Sequence, residues 1–323
     1  MKVKLNIRDR RFLIIGGATK AATTSLFQYL ADHPHVCAAS AKETRFFLDL
    51  DYPVKSKYRY DDGMDKYGEY FNHGDDSKLQ LEATPDYLYS SDTSQKIKDS
   101  LPKAKLVFIL REPFSRIVSW YKFAQQNGQI SKDVTLEEYI EKQLHLNANE
   151  KTEQHMRSLE QGRYSIYLNP YFDLFGRDRI QIIFYEELVK DPLTIVKSVS
   201  SFAEISPEFY EDYDFKVFNR TESMKNPKLH GIYKRLRFYV RSYTHNKPII
   251  HKNLRRFRLF IEPLYFSLNK NFPDKIVIPP KIKIFIKDYY KEEIDKLEKL
   301  IGRSTPWHCD NVSSRMMDEE RKT

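Results

Sequence analysis

The apolar positions of this chain follow two rhythms in alternation. Phe12-Leu13-Ile14-Ile15 is an unbroken apolar run closed by Gly16-Gly17, the pattern of a strand buried on both faces of a parallel sheet. Leu26, Tyr29 and Leu30 then recur at helical spacing, and that helix is expected to end near His33-Pro34. A second strand is predicted over 79–83, stopping at Thr84-Pro85, and a third over 106–110, closed by Arg111-Glu112-Pro113. Behind the third, Phe114, Ile117, Val118 and Tyr121 mark one apolar helix face, with Pro113 in its first turn. Further helices are predicted over 136–146, 165–175, 193–202 and 281–301, and a fourth strand over 180–185.

Strands alternating with helices imply right-handed crossovers and an α/β fold, an open parallel β-sheet flanked by helices. No internal repeat or low-complexity linker divides the 323 residues, so a single domain over 1–323 is expected. With 41% hydrophobic and 14% aromatic residues the chain can bury a sizeable core, which excludes disorder for its bulk. Cys37 and Cys309 are too few for a disulfide framework, and neither has companions for a metal site. Residues 1–11 are charged without an apolar signal core, and the longest apolar runs are too short to span a bilayer. A cytoplasmic protein is the expectation.

The net charge of +9 is unevenly spread: 225–258 holds eleven Lys or Arg and no Asp or Glu. Such an excess points to an anionic partner, a membrane surface or an acidic polymer, unless it is simply a solvated helical face. Tyr233, Leu236, Val240 and Tyr243 recur at helical spacing within it, so 225–270 reads as a basic helical elaboration near the C-terminus. No motif for specific nucleic-acid binding accompanies it.

Candidate chemistry lies at the strand ends. Gly16-Gly17-Ala18-Thr19-Lys20-Ala21-Ala22-Thr23-Thr24-Ser25 joins the first strand to the first helix. Backbone N–H groups of such a loop, with the helix start, hold an anion, and Lys20 adds charge while Thr23, Thr24 and Ser25 add hydroxyls. A nucleoside-triphosphate P-loop would need Gly-Lys-Ser/Thr after four residues. Counted from Gly17, Ala22 and Thr23 stand there instead, which disfavours an ATPase or kinase. The loop resembles the 5′-phosphosulfate loop of sulfotransferases that use 3′-phosphoadenosine 5′-phosphosulfate (PAPS), Gly-x-x-Lys-x-Gly-Thr-Thr-Ser, with Ala22 for the second Gly. Ala is tolerated there if its φ stays negative.

Arg111-Glu112-Pro113-Phe114-Ser115-Arg116-Ile117-Val118-Ser119 carries a second anion motif, an Arg at a strand's carboxyl end and a Ser on the following helix. It resembles the family's 3′-phosphate element, which implies that Arg111 and Ser119 hold the 3′-phosphate. Arg116 reads as a helix-surface charge or a salt bridge, outside the site. Lys42-Glu43-Thr44-Arg45-Phe46-Phe47 is similar to an element of the heparan sulfate branch whose glutamate deprotonates the acceptor. Glu43 is the candidate base, on the argument that partial desolvation raises its pKa, and Arg45 stands where that branch usually has His. Glu82-Ala83-Thr84-Pro85-Asp86-Tyr87 resembles that branch's Glu-Lys-Thr-Pro-x-Tyr, making Thr84 and Tyr87 either acceptor contacts or a strand-end turn with a packed tyrosine. Gly162-Arg163-Tyr164 resembles an element near the cofactor, placing Tyr164 by the adenine or in the core, and Arg220 or Lys225 could substitute for missing basic loops.

The resemblance implies a P-loop-like fold, PAPS as donor with PAP as product, and no required metal. Its acceptor would be a glycan, a glycolipid or a small hydroxylated molecule. In-line transfer would follow, with Glu43 as base and Lys20 neutralising the leaving bridge oxygen. A Mg²⁺-dependent kinase-like enzyme and a non-catalytic binder of acidic glycan or membrane are the competing readings.

Overall fold

The computed structural model describes residues 6–72, 75–146, 153–216, 223–224, 270–271 and 278–307. Five parallel strands form its main sheet: β1 (Phe12–Gly17), β2 (Val36–Ala38), β3 (Leu79–Ala83), β4 (Lys105–Leu110) and β5 (Ile180–Phe184), in the order β2-β3-β1-β4-β5. Every residue of β1 and β3 is buried, so both strands face covering layers on both sides, the apolar run of β1 and the alternating Leu79-Gln80-Leu81-Glu82-Ala83 of β3 alike. β1 continues through both glycines because its neighbours press on it. A Cβ on Gly16 would lie 2.6 Å from the Phe108 ring, and one on Gly17 would lie 2.8 Å from Leu88. Edge strand β2 has no counterpart among the predicted strands, since three residues are too short to show a period.

Six of the nine described α-helices match the apolar periodicities, and Met64–Gly68, Thr93–Ser100 and Tyr185–Lys190 have no counterpart among the predicted ones. α1 (Thr23–Ala31) leaves β1, and α2 (Met64–Gly68) and α3 (Thr93–Ser100) precede β3 and β4 respectively. α4 (Pro113–Gln126) begins where expected, because Glu112 caps it by accepting from the N–H groups of Phe114 and Ser115 at 2.9 and 2.6 Å. α5 (Leu136–Leu144) opens on a Thr135–Glu138 capping box. α6 (Tyr164–Phe175), α7 (Tyr185–Lys190), α8 (Pro192–Phe202) and α9 (Pro280–Ile301) complete the described set. One core spans the sheet. A second joins Ile117, Tyr121, Tyr139 and Ile140 of α4 and α5 to Ile282, Ile286 and Tyr290 of α9.

Among the described residues no helix is long and apolar enough to cross a membrane. A short antiparallel pair, Ser223–Met224 with Lys270–Asn271, flanks the basic stretch. The stretch itself, with its expected helical elaboration, lies outside the described residues, as do Arg220, Lys225 and Cys309.

Strand order decides where a ligand fits. The chain leaves β1 toward β2 and β3 on one side and leaves β4 toward β5 on the other, so a crevice opens between the carboxyl ends of β1 and β4.

Candidate active site

The phosphate loop fills that crevice. Ala18 and Ala21 are fully buried, and the Ala18 N–H donates to the Ile109 carbonyl of β4 at 2.7 Å. Ala22 caps α1 with φ 62° and ψ 23°, left-handed, which corrects the expectation of a negative φ at this position. A methyl in that region is strained, which is why glycine suits it better. Lys20 is also left-handed, at φ 66°. This throws its side chain across to α4, where Nζ lies 3.9 Å from the Phe123 ring centre and 5.9 Å from that of Trp120. Thr24 is half-buried, whereas Thr23 and Ser25 are buried, Ser25 as a partner of the Tyr29 phenol.

Arg111 stands at the tip of β4, and its Nη1 donates to the Lys20 carbonyl at 3.1 Å. That bond brings the two anion motifs into one crevice. The guanidinium stacks 4.3 Å from the Tyr185 ring centre and makes no ion pair to any described residue, and its buried Nε has no partner. Ser119, half-buried on α4, precedes Phe123 by one helical turn and so shares the face that Lys20 covers. Tyr164 is buried and donates to the Arg111 carbonyl at 2.8 Å, holding the strand tip. The structure thereby gives Tyr164 a core position, the second of its two expected places. Trp307 packs on Phe184 and Tyr164 and donates to Glu186, whose other oxygen takes the Glu112 N–H.

Glu43 hangs on the other side of β1. Its N–H donates to the Ala83 carbonyl at 2.8 Å, and Ala83 pairs with Ile15, two residues before the loop's first glycine of interest, Gly17. Neighbouring strands lie about 4.8 Å apart, so the Glu43 loop, the phosphate loop and Arg111 share one edge of the sheet. The Glu43 carboxylate pairs with Lys42 and Arg45, each at 2.8 Å, and keeps 32% of its side-chain surface exposed. Burial alone would raise its pKa, but the Lys42 ammonium and the Arg45 guanidinium hold it below the ordinary glutamate value. This overturns the expected upward shift. Arg45 Nη1 also donates to the Lys55 carbonyl at 3.0 Å, fixing it beside Glu43.

Thr84 and Tyr87 are fully buried, in the strand-end turn with a packed tyrosine that was the second of their two expected places. Both donate to Oε1 of the buried Glu82, at 3.0 and 2.6 Å; Tyr67 donates to Oε2 at 2.5 Å, and Thr44 completes the shell. They also hold the loop that carries Glu43: Thr84 Oγ1 accepts from the Arg45 N–H at 3.1 Å, and the Tyr87 hydroxyl from the Phe47 N–H at 3.3 Å. Asp86 is buried too, bonded by Tyr52 at 3.1 Å and by Gln154. Burial, reinforced by the Glu43 carboxylate, pushes its carboxyl up to about 6.

Residues 10–247 match the sulfotransferase domain family. The chain belongs to that family. Among its relatives, the bifunctional heparan sulfate N-deacetylase/N-sulfotransferase 1 of Caenorhabditis briggsae is 29% identical over 206 residues, 61% of this chain and 23% of that one. The membrane-associated sulfotransferase kil1 of Dictyostelium discoideum is 33% identical over 141 residues, 43% of this chain and 28% of that one. The sulfotransferase domain described here thus spans about a quarter of those relatives. A sulfotransferase crystal structure from Alicyclobacillus acidocaldarius superposes with a TM-score of 0.64 at 21% identity, covering 91% of this chain and 96% of that one, and shows the same fold.

Arg116 is the residue that sequence reasoning placed wrongly. It is fully buried, not a surface charge, and reaches the phosphate loop through Thr19. Its spacing four residues before Trp120 was the only available signal. Tyr185 on Arg111, Glu186 on Glu112 and Trp307 on Glu186 and Tyr164 were not placed at the site because only the fold brings these pairs together.

Proposed function

We propose that this domain transfers a sulfuryl group from PAPS to a carbohydrate acceptor by in-line displacement. The observation that carries the reading is the hydrogen bond from Arg111 to the Lys20 carbonyl, which merges a phosphosulfate-type loop and a 3′-phosphate-type motif into one crevice. The residues present suit such a ligand. The orphaned Arg111 Nε and the Ser119 hydroxyl are matched to a phosphate, while the loop amides and Lys20 are matched to the phosphosulfate.

In the transfer, an acceptor oxygen forms its bond to sulfur as the bond from sulfur to the 5′-phosphate oxygen breaks. The acceptor proton passes to Glu43, and Lys20 neutralises the charge gathering on the departing oxygen, giving PAP. A carboxylate held below its ordinary pKa is a weak base. It suffices because the acceptor oxygen becomes strongly acidic once it begins bonding to sulfur. Lys42 and Arg45 keep that carboxylate ionised and aimed. Since sulfuryl carries less charge than phosphoryl, the transfer is expected to proceed without Mg²⁺.

The relatives' names point to a glycan of the heparan type, where an amine as well as a hydroxyl can accept. The test is transfer of labelled sulfate from PAPS to a panel of polysaccharides, glycolipids and small hydroxylated molecules, with N-unsubstituted heparan precursors included. Label appearing on a glycan without added Mg²⁺ supports the proposal. Absence of transfer to every acceptor favours a non-catalytic binder, and stronger binding of Mg-ATP than of PAP favours a kinase.

A further inference from the structure

One charge in the donor half has no use in the transfer described above. Arg116 lies on the inner face of α4 and is wholly buried. Its Nη2 donates to the Ser158 carbonyl at 2.5 Å, and its Nη1 approaches Thr19 Oγ1 at 3.5 Å. Trp120 Nε1, one turn further along α4, donates to the same Thr19 oxygen at 3.2 Å. The Arg116 Nε is buried and has no partner. Around the guanidinium stand the buried phenols of Tyr89, Tyr139, Tyr164 and Tyr290, with the Tyr164 ring centre 5.8 Å away.

Among the described residues Arg116 makes no ion pair. A buried cation without a counter-ion is costly; the Ser158 carbonyl, Thr19 and the phenols offset part of its lost hydration, and an anion brought near offsets more. Thr19, the residue it touches, belongs to the loop read above as the phosphosulfate cradle. The geometry points to Arg116 as a positioning residue for the donor: it fixes Thr19 from beneath and supplies the standing positive charge that the bound 5′-phosphosulfate completes. This rests on the PAPS reading and deepens it. The guanidinium acts without touching the ligand, through the loop and through the field it projects across a low-dielectric interior.

A merely structural peg between Thr19 and Ser158 would behave differently. Removing a peg lowers the unfolding temperature and leaves nucleotide affinity in the folded protein unchanged. Removing a charge that waits for a ligand weakens the ligand and spares the unliganded protein. The experiment is calorimetric titration of PAP, with thermal unfolding in its presence and absence, on wild type, Arg116→Met, Arg116→Gln and Arg116→Lys. Expected is an affinity loss of about tenfold to hundredfold for the Met and Gln variants, with Lys retaining most of the affinity. The unliganded Met variant is expected to melt no lower than wild type. Unchanged PAP affinity in Arg116→Met would overturn the inference; should that variant not fold, unchanged affinity in Arg116→Gln, which keeps a side-chain amide for Ser158, does the same. If wild type itself fails to bind PAP, the donor reading falls separately. The Arg116 inference is then read with inorganic pyrophosphate, and an affinity equal across wild type and Arg116→Gln overturns it.

Discussion

The two sides of β1 handle charge in opposite ways. Toward β4, Arg111 and Arg116 make no ion pair to any described residue, and each keeps a buried Nε without a partner. Toward β3, Glu43 has two cations at 2.8 Å and Glu82 is ringed by four hydroxyls. On the first side the guanidinium charges pair with no described carboxylate, while on the second the carboxylates already hold cations or hydroxyls, although Arg45 there also keeps a buried Nε without a partner. On the proposed reading, the first side binds by supplying what a ligand lacks, and the second positions the proposed base, Glu43. Mutations should therefore act on binding on the β4 side and on turnover on the β3 side.

The largest expected effect is at Glu43. Glu43→Gln should cut turnover by about 10²–10⁴ while PAP affinity stays near wild type. Near-normal turnover in single-turnover assays would remove Glu43 from the role. Lys20→Ala crosses the divide, since the proposed transfer gives Lys20 both the bound donor and the leaving oxygen. Turnover should fall by about 10²–10³ and PAP affinity should fall with it, measured on the same preparation.

Asp86 offers a smaller test through pH. Its carboxyl is raised to about 6 in the folded state, so folding favours its protonated form. That contribution is full below the unfolded value of about 4 and is lost as pH rises through about 6, leaving the charged form penalised above. Asp86→Asn keeps an oxygen for Tyr52 and Gln154. It should gain about 1–3 kcal/mol relative to wild type between pH 4 and pH 8, read from denaturant unfolding. Identical pH profiles for the two proteins would place Asp86 outside this coupling.

Ala22 gives the smallest effect. Ala22→Gly relieves a left-handed methyl and should raise stability by about 0.5–1 kcal/mol with little change in turnover. A loss of stability would mean that the methyl packs more favourably than its backbone is strained.

The local features of this layout were legible in the sequence. Gly17 through Ser25 and Arg111 through Ser119 each sit at one strand-to-helix junction, where apolar runs, Pro113 and hydroxyl clusters mark both the element and its chemistry. What depends on distant residues was not. Nothing around Thr84 or Tyr87 says that both face Glu82 together with Tyr67. Arg116 is one of 54 Lys and Arg, and only the fold closes four phenols around it. The direction of the Glu43 shift depended on whether Lys42 and Arg45 turn toward it, which positive φ values at Glu43 and Arg45 decide.

The most direct test of the central claim, one crevice gripping both ends of a doubly phosphorylated adenosine, is to titrate PAP and adenosine 5′-phosphate into wild type and Arg111→Ala without Mg²⁺. PAP should bind wild type about tenfold to hundredfold more tightly than adenosine 5′-phosphate, and Arg111→Ala should erase most of that preference. Equal affinity of wild type for the two nucleotides, or a preference that survives in Arg111→Ala, would contradict it.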